Sequence, residues 1–279
     1  MNINGYEVRE GVLDLGTAPL THIESKAFWS QRAIRECIMP AGIEHIGDWA
    51  FAKCVNLSKV RFTGSHRPNL FGKDVFSGCE KLSAIEFSDM SKETSKLLAL
   101  CANKLPFDHL IRSDDIGEKT WYEKWDISLT AMLASDDAAA KMSAVLCGEE
   151  DISYDGIGSV DGEMPGQTGD FVRKEEFKKC SLCYTRLLND AYLSEETGSV
   201  IRRFIRDNAF GIGTGSAYYS IFEEEDVLAC LKVYLDVVSP DKETLGRMIA
   251  DTPQKEVLAI SYLIKESGNR NDAFEDLLL

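Results

Sequence analysis

Apolar positions recur with different periods in the two parts of this chain. Ile23 to Gln31 (Ile-Glu-Ser-Lys-Ala-Phe-Trp-Ser-Gln) returns as Ile46 to Cys54 (Ile-Gly-Asp-Trp-Ala-Phe-Ala-Lys-Cys) and again as Phe71 to Cys79 (Phe-Gly-Lys-Asp-Val-Phe-Ser-Gly-Cys). Phe28, Phe51 and Phe76 are spaced 23 and 25 residues apart, and Ile34, Leu57 and Leu82 keep the same step. A fixed apolar frame at this period predicts a solenoid, in which stacked turns jointly bury what one turn cannot. Each repeat ends in an alternating triplet (Cys37-x-Met39, Val60-x-Phe62, Ile85-x-Phe87), which predicts a short strand with one buried face. Stacked, these strands make a narrow parallel sheet, and the three phenylalanines make an apolar spine. Upstream, Val12-x-Asp14 and Leu13-x-Leu15 predict a terminal strand that caps the open end.

After Phe87 the period becomes helical. Ser88 to Ser91 offers N-caps, and Leu97, Leu98, Leu100 and Cys101 follow at helical spacing. Ser135-Asp-Asp predicts the start of an Ala-rich helix with Ala138, Met142, Val145 and Leu146 on one face. A longer helix is predicted from about residue 174 to 193, and Ser194-Glu-Glu opens the next. Pro240 after Ser239 and Pro253 after Thr252 each read as a cap residue followed by proline at the first helical position. A second periodicity, of 30, relates Asp226-Val-Leu-Ala to Glu256-Val-Leu-Ala, each preceded by a shorter apolar segment. The expected class is α+β: a short solenoid over residues 1–89, then an all-α domain over residues 90–279.

The pattern Ile43-x-x-Ile46-Gly47-x-x-Ala50-Phe51-x-x-Cys54-x-x-Leu57-x-x-Val60 resembles the BspA-like class of bacterial leucine-rich repeats. The third repeat keeps it with Phe71 and Val75 substituted, and the first has Gln31 in place of cysteine. The resemblance covers a quarter to a third of the chain and implies a leucine-rich-repeat interaction surface, with no catalytic residue to carry over. The 30-residue helix pairs resemble ankyrin-type units without the ankyrin fingerprint.

Charge sharpens the division. Residues 1–89 carry 10 basic and 11 acidic side chains, so nearly all of the net charge of −15 lies beyond them. An acidic helical part argues against nucleic acid or anionic membrane as a partner. Met1 to Glu10 lacks a basic and an apolar leader region, and the chain has no run of 18 apolar residues. A cytoplasmic location is therefore expected, or a surface or secreted one if a signal was removed.

Candidate chemistry is sparse. Of the eight cysteines only Cys180-Ser-Leu-Cys183 has motif spacing, and without a second pair it reads as two core thiols on one helix face. Gly211-Ile-Gly213-Thr-Gly215 follows a helix and lacks a phosphate-loop lysine, so it reads as a helix connector. Asp151-x-Ser153-x-Asp155-Gly156 begins like a calcium loop, but its last ligand slot falls on Gly162. The expectation for residues 152–170 is a mobile acidic loop that binds no metal. His22 and His45 are expected as solvated neighbours on successive turns.

Strand alternation places one set of side chains on the outer face of the sheet: Glu36, Ile38, Lys59, Arg61, Ala84 and Glu86. An apolar centre and both signs of charge on rigid backbone suit a protein contact. The expected function is a non-catalytic protein–protein interaction or scaffolding module with no cofactor, no metal and a protein partner of unspecified identity. The alternative is an enzyme with its active site in the helical domain, near the 148–171 loop.

Overall fold

In a computed structural model of the chain, residues 2–3, 5–65, 70–103, 108–135 and 166–275 are described. They fold as two compact units, residues 1–129 with 189–194, and residues 130–188 with 195–279.

The first unit is a β-solenoid. Its strands are β1 (Asn2–Ile3), β2 (Tyr6–Arg9), β3 (Val12–Asp14), β4 (His22–Ile23), β5 (Glu36–Met39), β6 (His45–Ile46), β7 (Lys59–Phe62) and β8 (Ala84–Glu86). The main sheet runs β1-β2-β3-β5-β7-β8, and β4 pairs with β6 on another side of each turn. The predicted triplets are in register: Cys37 opposite Val60, Val60 opposite Ile85, and Met39 opposite Phe62, all buried. β3 is parallel to β5, so Val12 to Asp14 serves as the first rung, and the antiparallel strands β1 and β2 close the end. Antiparallel pairing suits that place because it needs only a tight turn.

Three aromatic rings form the spine. Phe28 stacks on Phe51 at 5.0 Å between centroids and Phe51 on Phe76 at 5.8 Å, with Tyr6 against Phe28 at 6.4 Å. A second stack, Phe62 on Phe87 at 4.2 Å, runs beside it. The corner around each phenylalanine is hydrogen-bonded turn to turn, Phe28 N–H to Ala50 O at 2.7 Å and Phe51 N–H to Val75 O at 3.0 Å. Each corner contains two left-handed residues: Lys26 and Ser30, Trp49 and Lys53, Asp74 and Gly78.

Directly after the solenoid, α1 (Lys92–Asn103) packs against β8. Ser91 caps it, its Oγ accepting from Thr94 N–H at 3.1 Å. Leu97, Leu98 and Cys101 are buried, and α2 (Lys119–Leu133) sends Trp125 Nε1–H to the Leu97 carbonyl at 3.3 Å. α1 and α2 as far as Leu129 thus share a compact unit with the repeats.

The second unit is helical: α3 (Gly166–Leu188), α4 (Glu195–Asp207), α5 (Ser216–Tyr219) continuing into a 3-10 turn (Ser220–Glu223), α6 (Val227–Val238), α7 (Lys242–Asp251) and α8 (Val257–Glu275). A short helix precedes a longer one twice, where the 30-residue period placed them. Tyr218 ties the two pairs together, its hydroxyl lying 3.0 Å from the Met248 carbonyl and 2.6 Å from Thr252 Oγ1.

Three local expectations are corrected. α3 begins at Gly166, so residues 166–170 are helical where a loop was expected, and it ends at Leu188, short of residue 193. Pro240 is not a first helical residue: Ser239 is the left-handed end of α6, and Asp241 caps α7 by accepting from Thr244 N–H at 2.7 Å. Thr252 ends α7, and α8 starts only at Val257, so Pro253 lies in the connection. Proline after a helix end blocks continuation, which is the role both residues take. The Ala-rich segment after Ser135 and the calcium-like loop at 151–162 lie outside the described residues.

Candidate functional site

Strand alternation brings the six outer-face residues together. Glu36 lies opposite Lys59, Ile38 opposite Arg61, Lys59 opposite Ala84 and Arg61 opposite Glu86. Their partners on the other face, Cys37, Val60 and Ile85, are wholly buried. The charges pair across strands: Lys59 with Glu86 at 2.8 Å, and Arg61 with Glu36 at 2.9 Å and with Glu86 at 3.4 Å. These side chains are 28–45 % exposed, so the pairs are partly shielded from water without being desolvated. The hydrogen bond from Lys59, outweighing the opposing effect of burial and joined by Arg61, holds Glu86 below the usual carboxylate range.

The face extends further than the repeats alone suggested. β3 adds Val12 beside Glu36 and Asp14 beside Ile38, and the exposed Arg9–Glu7 pair of β2 continues it. The alternation Val12-x-Asp14 carries that signal in addition to marking the terminal strand. Asp14 is tied locally, its Oδ1 accepting from Gly16 N–H at 2.8 Å.

The other singled-out groups occupy ordinary positions. His22 and His45 are exposed strand partners with ring centroids 6.3 Å apart. Cys180 and Cys183 are fully buried thiols on α3. The connector Gly211 to Gly215 joins α4 to α5 with positive φ at all three glycines. Among the described residues no cluster of three or more His, Cys, Asp or Glu could hold a metal ion. Nor is any described helix long and apolar enough to cross a membrane. Most of the 148–171 segment named for the alternative enzymatic site lies outside the described residues.

On this face the charged side chains are tied to one another as ion pairs across the strands. Residues 17–108 match the family described as BspA type leucine rich repeat region (6 copies), about a third of the chain. Comparison with curated proteins and with solved structures gave no match. This segment is therefore a BspA-type leucine-rich-repeat region, and repeats of this kind generally mediate protein–protein contact.

Proposed function

We propose that the chain is a non-catalytic protein-recognition module and that Glu36, Ile38, Lys59, Arg61, Ala84 and Glu86 contact its partner. The observation that supports this is the ion-paired lattice Glu36–Arg61–Glu86–Lys59, fixed by strand register around the half-buried Ile38. Side chains held this way lose little freedom on binding. The sheet, about 24 Å across and about 13 Å along its strands, offers on the order of 300 Å², against about 800 Å² per partner in a standard interface. A partner must reach past the sheet edges, or bind weakly. The division of roles near residue 89 and the ankyrin-like character of the paired helices belong to the same reading.

Ile38→Arg and the pair Lys59→Gln, Arg61→Gln test it. A partner isolated on the wild-type chain should bind each variant about tenfold more weakly, with the thermal midpoint nearly unchanged. Equal binding would move the contact off this face.

A further inference from the structure

Five side chains on three successive turns alternate cation and indole without a break: Lys53, Trp29, Lys26, Trp49, Lys73. The Lys26 ammonium lies 4.9 Å from the Trp29 centroid and 5.5 Å from that of Trp49. Lys53 lies 5.9 Å from Trp29, and Lys73 lies 5.9 Å from Trp49. All are within cation–π range.

The backbone beneath is fixed. Lys26, Trp49 and Asp74 share one left-handed position, with φ of 59°, 55° and 51°, and Ser30, Lys53 and Gly78 share the other. The corner demands this conformation in every turn, whatever residue fills it. Glycine relieves it at Gly78, whereas lysine and tryptophan cost more there. Neighbouring corners are joined by Lys26 N–H to Asp48 O at 3.0 Å and Trp49 N–H to Lys73 O at 2.9 Å.

The three lysines are exposed, and none forms an ion pair with any described residue, in contrast to Lys59 and Arg61 on the sheet. Asp48 is near in sequence, but its Oδ1 accepts from Lys73 N–H at 2.8 Å. Three like charges gathered on rigid backbone repel one another, and an anion placed among them removes that repulsion.

We propose that this ladder is a docking surface for a short acidic segment of a partner protein. The inference rests on reading the repeats as a protein-binding module, and assigns them a second contact face. Each indole already has two ammonium groups near its ring, so recognition here is by charge, not by stacking a base or a sugar. The net charge of −15 opposes a long polyanion such as nucleic acid. A peptide with a few carboxylates works within a Debye length of about 8 Å, where the local cations dominate.

The probe is a fluorescein-labelled octaglutamate peptide titrated into the full chain at low salt and followed by anisotropy. Saturable binding is expected, weakened about tenfold in Lys26→Gln/Lys53→Gln/Lys73→Gln and restored when the three are arginine instead. Circular dichroism and the thermal midpoint establish that each variant is folded. Binding should weaken steadily with salt, and octaglutamine should not bind. Absence of octaglutamate binding, or equal binding by the glutamine variant, overturns the proposal. Tighter binding of an oligothymidylate or a sulfated glycan overturns it in favour of those ligands. Ile38→Arg should leave octaglutamate binding unchanged. Failure of the ladder with loss of partner in Ile38→Arg removes this inference alone, and the converse removes only the sheet contact.

Discussion

The Cys54 thiol lies 3.0 Å from the Phe28 carbonyl oxygen of the preceding turn and donates to it. Cys79 repeats the contact on Phe51 at 3.1 Å. The cysteine slot of the second and third repeats is therefore a buried donor as well as a small apolar filler. Cys54→Ala should cost about 1–2 kcal/mol by removing that donor and leaving a small void. Cys54→Ser keeps a donor and should cost less than alanine, as measured by urea unfolding. Equal losses would reduce the slot to packing alone.

The glycine after the first apolar residue of the second and third repeats answers to the preceding turn in the same way. A Cβ on Gly47 would sit 2.5 Å from Ser25 N, and one on Gly72 would sit 2.6 Å from Asp48 Oδ1 and 2.9 Å from Asp48 N. Both clashes are with the preceding turn. The first repeat carries Glu24 and Gln31 where the second has Gly47 and Cys54. It is the first corner in the stack, so neither constraint applies to it. Gly47→Ala should destabilise by about 2–3 kcal/mol, whereas Glu24→Ala should change stability by less than about 0.5 kcal/mol. Comparable losses in the two variants would refute the turn-contact explanation.

These contacts mark what could be read in advance. The frame of Phe28, Phe51 and Phe76 and the triplet alternation specified the spine, the strand register and all six outer-face residues, because both depend only on spacing. The ion pairs among Glu36, Lys59, Arg61 and Glu86 follow from that register. The Lys–Trp ladder does not: Lys26 aligns with Trp49 in sequence, but its contact with Trp29 depends on a left-handed corner that its residue types do not announce. The start of α7 falls two residues later than the Ser239–Pro240 pair implies, because Ser239 and Asp241 are both good caps. Only the backbone shows that Asp241 caps the helix.

Phe51 has a stacked ring on each side, at 5.0 and 5.8 Å, and is fully buried. Phe28 instead meets the half-buried Tyr6 on its outer side, while Phe76 gains an edge contact with Phe71 at 5.8 Å. Phe51→Ala should therefore cost about 4 kcal/mol, Phe76→Ala nearly as much, and Phe28→Ala about 1 kcal/mol less. Denaturant midpoints of the three variants give the order, and a larger loss at Phe28 would show that the cap end governs the spine.

Alkaline pH probes the buried thiols. Burial pushes Cys37 and Cys101 up, carries Cys180 to about 12, and raises Cys183 with a further push from Cys180. Tyr234 is likewise pushed up to about 12 by burial. In the unfolded chain a cysteine releases its proton near about pH 8.5. Between that value and about 12 the folded chain holds more protons than the unfolded one, so stability is full below about pH 8.5 and falls as pH rises. The slope approaches about 1.4 kcal/mol per pH unit for each thiol held protonated. Urea midpoints should be flat from about pH 7 to 8 and drop steeply above about pH 9. The drop should be shallower in Cys183→Ala, whose unfolded chain has one proton fewer to lose. Iodoacetamide at about pH 9 should leave Cys37, Cys101, Cys180 and Cys183 unlabelled until urea is added. A midpoint that stayed level to about pH 10, or native labelling of those four, would show that these thiols reach solvent.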